Sequence, residues 1–275
     1  MDVAGGAGAT GRREREVSDW TVAELMAVEM SRHIAAGEVA IMGAVSSLPM
    51  AACRLAQETH APGSWYVAGG SGAVNPHLCP IPDSSCDERL LQADCVLPLP
   101  EVVMLEGRGD VFDVFFAGGL QIDAHGNTNL SHIGDAAHPK LKGPGGVGLP
   151  FLPLAGRVII YTMSHDRRTL VEKVDFISGP GFLGGPIEWS RKRRGGRGPA
   201  LIVTPLCTLD FDESALRARL RSVHPGVTAT RVQEMTGFDL RLGPQAEIRE
   251  TAPPSASELE ILRRIDSAGL LRRAA

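Results

Sequence analysis

The chain has 275 residues, 43% of them hydrophobic, and a formal net charge of -4. That composition suits a globular protein with a sizeable core and argues against nucleic acid or an anionic membrane as a general partner. No apolar run approaches the 18 residues of a membrane span, and an aromatic content of 5% argues against a base-stacking surface.

Residues 1–17, rich in Gly and Arg, are expected to form a disordered tail, with no apolar segment of a secretory signal. A single α/β domain is expected over 18–275. Thr21 and Glu24 spell a T-x-x-E capping box, Val22, Leu25, Met26, Met30 and Ile34 follow at helical spacing, and Gly37 supplies a stop. The nearly all-apolar run 39–45 (VAIMGAV) predicts a strand covered on both faces, as in a parallel sheet. A helix over 48–58 and a strand over 65–68 come next, and then the glycine cluster of YVAGGSGAVNP (66–76). Beyond a Pro-rich segment, helices are expected near 87–93 and 102–107 and a strand over 111–116.

Residues 117–134 read as a strand, a polar turn built on Asp123, His125, Gly126 and Asn127, and a returning strand. A second glycine loop occupies 141–148. Strands are expected over 157–162, 173–177, 201–204 and 207–211. A loop carrying the basic run RKRRGGR spans 180–199, and a helix lies at 228–235. A TAPPSA linker leads to a last helix, capped by Ser255 and Glu258 and running through Ile265. The order predicts an α/β fold with an open, mostly parallel sheet and antiparallel additions.

Cys53, Cys79, Cys86, Cys95 and Cys207 are odd in number and form no C-x-x-C pair. That argues against a disulfide framework or zinc site and favours a reduced, cytoplasmic setting. His125, His132 and His138 lack metal-ligand spacing. Cys79 and Cys86 have no neighbouring base or cation in sequence and read as inert thiols. Asp123, Asn127 and Asn129 read as turn caps before substrate contacts, and Arg191, Lys192, Arg193 and Arg194 as a solvated charged loop before a phosphate site. Glu172 and Asp175 read as structural ion-pairing groups.

Several segments together resemble the β subunit of family I coenzyme A transferases, the glutaconate CoA-transferase type. They are FDVFFAGGLQIDAHGNTN (112–129), LKGPGG (141–146), RVIIYTMSHDRRTLVEKVDFISGPGFLGG (157–185), LRSVHPGVTATRVQEMTGFDL (220–240) and the final Pro-Pro plus helix. The β subunit of a related CoA-thioester ring-opening hydrolase of steroid catabolism is also similar. The resemblance implies a CoA-transferase-like open sheet, a coenzyme A thioester as substrate, no tightly bound cofactor, and obligate pairing with a homologous α subunit in an αβ heterodimer or larger assembly. It also implies a glutamate nucleophile after the second strand, which attacks the thioester and splits one exchange into easier steps. In this chain that position is Gly70.

The expected substrate-binding residues are Gly69, Gly70, Ser71, Gly72 and Asn75, with Gly143, Gly145 and Gly146 as either an anion loop or a plain surface connection. With no nucleophile at Gly70, a catalytic side chain is left unassigned. A transferase subunit, a hydrolase subunit whose acid lies in the α subunit, and a non-catalytic scaffold that completes a partner's site all remain open.

Overall fold

The computed structural model describes residues 19–242 and 248–273; the tail expected at 1–17 lies outside them. In chain order, α1 (Val22–Ser31), β1 (Val39–Met42), α2 (Ser47–Glu58) and β2 (Trp65–Ala68) come first. Strands β3 (Ala73–Pro76) and β4 (Ala93–Val96), helix α3 (Leu99–Glu106) and β5 (Val114–Ala117) follow. A middle region holds β6 (Gln121–Asp123), β7 (Thr128–Asn129), β8 (His132–Ile133) and β9 (Leu141–Lys142), ahead of β10 (Arg157–Tyr161) and β11 (Leu170–Val171). The remainder comprises α4 (Pro186–Lys192), β12 (Pro199–Val203), β13 (Cys207–Phe211), β14 (Ala218–Val223), α5 (Ala229–Met235), β15 (Arg249–Glu250), α6 (Ala256–Ile265) and α7 (Leu270–Arg273).

Among the described residues, ten strands form one sheet in the order β15-β14-β13-β12-β10-β5-β1-β2-β3-β4. From β12 to β2 the pairs are parallel, antiparallel strands extend both sides, and β15 adds a parallel pair at the β14 edge. This is the open, mostly parallel α/β sheet that the sequence predicts. The central strands are apolar because both their faces are buried. Alternate residues serve opposite cores. Ala40, Met42, Tyr66, Val114, Phe116 and Ile159 face the helical side, with α1, α2 and α6. Ile41, Val67, Phe115, Val158 and Ile160 face the other side, with Val102, Leu149 and Leu152.

Both capping boxes form, and each does a second task. Thr21 accepts from the Glu24 N–H while the Glu24 carboxylate takes the Thr21 N–H. The same carboxylate, 2% exposed, accepts from Arg263 Nε of α6 at 2.9 Å. Reciprocally, Glu258 of the Ser255 box accepts from Arg32 at the end of α1, at 2.9 Å. Each cap thereby clamps the other helix.

Local readings fail in specific places. α1 ends at Ser31, ahead of the expected Gly37 stop, and the segment at 87–93 is only a 3-10 turn, Glu88–Leu91. The strand expected over 173–177 is absent: Phe176 and Ile177 are exposed, and the ladder here is the two-residue β11 against β6. The loop expected over 180–199 contains α4, begun by Pro186 and anchored by Trp189 edge-on to Phe182. Strands β3 and β14 are not predicted by the sequence pattern. Pro76 disguises β3, and β14 carries arginines on the exposed side of its alternation.

Replacing Glu24 with Ala removes the cap and strands Arg263, so it should cost about 1–3 kcal/mol, against about 1 kcal/mol for Thr21→Ala. Urea unfolding of both variants measures the difference.

Candidate active site

Strands β1, β2, β5 and β10 run in parallel, and the chain leaves β1 toward β2 on one side but returns to β5 on the other. Such a reversal opens a crevice beyond the carboxyl ends of the strands, where α/β sheets bind ligands. A cavity of about 500 Å³ lies there. Its floor comes from the strand ends and the turns after them: Met42–Ser46, Gly69–Gly70, Phe115–Leu120 and Tyr161. Helix α3 adds Leu99, Val102, Val103 and Glu106 to the lining, and the segment after β9 adds Gly145, Val147 and Leu149. The Tyr161 hydroxyl donates to Val45 O at 2.9 Å and holds the turn after β1 in place.

Gly70 is closely covered. A Cβ added there would lie 2.3 Å from Cys86 Sγ and 2.9 Å from Ser85 Oγ. Buried Ser85 ties this cover down: its hydroxyl donates to Gly43 O at 2.7 Å and accepts from the Gly70 N–H at 3.2 Å. The space a side chain at position 70 would enter is therefore filled by the 84–86 loop. Cys86 itself lines the cavity and is exposed.

Of the residues expected at the site, Gly69, Gly70 and Gly145 line the cavity. The others have contacts of their own. Ser71 Oγ donates to Ala68 O and closes the turn. Gly72, at φ +71°, lets Leu97 O approach so closely that a Cβ would sit 1.9 Å from it. Asn75 accepts from the Tyr66 N–H and Gln57 and donates to Asp94. Gly143 packs its backbone on Leu130 O, and Gly146 on Ser178. His77 pairs with Asp94 at 2.9 Å, on the surface. Asp123 and Asn127 serve the turn, with Asp123 Oδ1 accepting from the His125 and Asn127 N–H groups. Asn129 Oδ1 likewise accepts from the Ser131 N–H. Glu172 pairs with Arg217, whereas Asp175 accepts hydrogen bonds from Gln121 and the Gly134 N–H. Cys79 does have a cation beside it, Arg54 at 3.7 Å, which no sequence neighbour reveals. Lys192 of the basic run pairs with Glu188 on α4.

Sequence reasoning passes over Glu106, the last residue of α3. It is 9% exposed, lines the cavity, and its Oε2 is buried without a hydrogen-bond partner among the described residues. Burial without a compensating cation pushes its carboxyl up to about 7. Gly148, at φ +79°, passes directly beside it; a Cβ there would lie 2.9 Å from Glu106 Oε1. A signal exists in the spacing. Glu106 lies four residues after Val102, which is 1% exposed, so the helix turns both to the same buried face. Polar groups with perturbed ionisation in an apolar pocket are the marks of a chemical site.

The family profile described as Coenzyme A transferase matches residues 23–235. The β subunit of the 3-oxoadipate CoA-transferase of Pseudomonas knackmussii is 32% identical over 91% of this chain and 95% of its own length. The glutaconate coenzyme A-transferase structure from Acidaminococcus fermentans superposes with a TM-score of 0.81 at 29% identity, covering 92% of this chain and 97% of that one. The IpdB subunit of the cholesterol ring-cleaving hydrolase of Rhodococcus jostii is 27% identical over 84% of this chain and 85% of its own. With the matched profile spanning most of the sequence and the sheet agreeing, the chain belongs to the coenzyme A transferase family.

Proposed function

We propose that this chain is the β subunit of a heteromeric enzyme acting on acyl-CoA thioesters, and that the cavity at the sheet's carboxyl edge receives the acyl end of the substrate. The observation that carries this reading is the apolar crevice itself, bounded by Gly69 and Gly70 where the family resemblance expects the reacting thioester. Coenzyme A enters as substrate. The mouth is rimmed by exposed Val45, Leu99 and Val147, at 81%, 53% and 81% exposure. An apolar rim of this kind favours cover by another protein surface, and the homologous α subunit is the proposed partner. The proposal extends to a cytoplasmic assembly in which residues 18–275 form one domain.

The filled space above Gly70 supports an enzyme without a glutamate nucleophile at that position. It equally favours a second reading, in which the complex adds water to a CoA thioester substrate and draws an acid from the α subunit. Both readings separate from a scaffold role by their dependence on the pocket.

Three outcomes test this. Co-expression with the α-subunit gene should give a stable αβ complex, active only as the pair; a monomer that never assembles would end the proposal. Borohydride or hydroxylamine treatment of the working complex, followed by peptide mass analysis, should find no modified glutamate on this chain. Gly70→Glu should destabilise the fold by about 1–3 kcal/mol through collision with Cys86, and Cys86→Gly should relieve part of that loss in urea unfolding. Turnover unaffected by the bulk at position 70 would leave the chain a scaffold.

A further inference from the structure

We propose that Glu106 is a proton-transferring residue of this pocket, exchanging a proton with the carbon next to the thioester carbonyl of a bound acyl-CoA. The inference rests on the acyl-CoA reading of the cavity and adds a side chain of this chain to its chemistry.

Three features point the same way. First, Glu106 is nine-tenths buried, borders the cavity and has no partner for Oε2 among the described residues. A structural carboxylate at such depth is normally paired, because an unpaired buried charge is costly. Second, burial holds its ionisation near 7, so acid and base forms coexist at neutral pH, the condition for moving protons in both directions. Third, a helix N-terminus borders the same cavity. Helix α2 starts at Ser47, directly after the cavity-lining turn, and its N-cap residue Ser46 makes no capping hydrogen bond among the described residues; the Ser46 hydroxyl instead lies 3.3 Å from the Tyr161 hydroxyl. The open helix end is suited to a thioester oxygen that gains negative charge.

The step balances without another reactant. Ionised Glu106 takes the proton from the carbon beside the carbonyl. The C–H electron pair becomes a C=C bond, and the carbonyl π electrons move onto oxygen to give an enolate. Glu106, now a carboxylic acid, returns its proton to carbon as the carbonyl re-forms. No bond to the enzyme is made. The thioester carbonyl acidifies this hydrogen whatever the rest of the acyl chain, so the proposal names a substrate class and not one acyl group.

The αβ complex and its Glu106→Gln and Glu106→Asp variants are to be incubated in D2O with butyryl-CoA, with binding measured by calorimetry. Mass spectrometry should show deuterium entering the acyl chain with the parent complex. Exchange should be about 10²–10⁴-fold slower in Glu106→Gln and partly restored in Glu106→Asp, with butyryl-CoA still bound. Isotope-edited infrared spectra of labelled glutamate should show one carboxyl titrating near 7 that Glu106→Gln removes. Folding gives a separate readout. A carboxyl raised from 4.5 to about 7 in the folded state loses stability as pH climbs between those values, so Glu106→Gln should equal or exceed the parent's melting temperature at pH 9. Butyryl-CoA bound without exchange, exchange unchanged in Glu106→Gln, or a covalent adduct on Glu106 would each overturn the assignment. Failure of the parent complex to bind butyryl-CoA would instead overturn the acyl-CoA reading, and the inference with it.

Discussion

Two-sided burial of strands β10, β5, β1 and β2 is the constraint from which the rest of this structure follows. Strands with no polar face need cover above and below, and crossover connections provide it. The helical layer of α1, α2 and α6 covers one side. On the other, the 149–154 segment and the middle of the chain do so. With both faces closed and β5 placed across β1 from β2, the carboxyl ends of the strands are left to frame a crevice. The site is thus a consequence of sheet order, before any side chain in it is considered.

Within that crevice, packing redistributes the chemistry. The Ser85–Cys86 loop occupies the volume a side chain at position 70 would need, latched to the turn after β1 by the Ser85 hydroxyl. A glycine there is a steric requirement as well as an absence of function. The carboxyl that does reach the cavity comes from α3, a helix whose Val102 and Glu106 share a buried face. Gly148, directly beside it, leaves room for the carboxyl. A carboxyl in this position without a counter-ion is held at the edge of ionisation, which is useful to a proton-transfer site and unfavourable to a purely structural one.

How much is legible in the sequence varies with the range of the determining interaction. Thr21, Glu24, Ser255 and Glu258 announce their helices through contacts three residues apart, and those caps form as read. The VAIM run announces a doubly buried strand because burial on both faces leaves no alternation. Phe176 and Ile177 mislead for the converse reason: apolar residues signal a strand only where a ladder partner exists, and here they stand exposed. Gly69 and Gly70 are traceable to the site through their place after β2, whereas Gly72, Asn75 and Gly143 are occupied by close backbone approach and turn bonding. Glu106 escapes a reading of the sequence because a carboxylate at a helix end ordinarily faces water.

By itself the sequence determined the fold class, the two capping boxes, the central apolar strands, the family resemblance and the lack of a carboxylate at position 70. These depend on periodicity, local capping and ordered motifs, which a one-dimensional string carries. Only the tertiary structure decided that Glu24 and Glu258 also clamp the opposite helix through Arg263 and Arg32, that Cys86 closes over Gly70, and that Glu106 borders the cavity with its Oε2 unpartnered among the described residues. Each of these is a contact between residues far apart along the chain, or the want of one. Burial and pairing set the charge state of a carboxyl, and both arise only when distant segments meet.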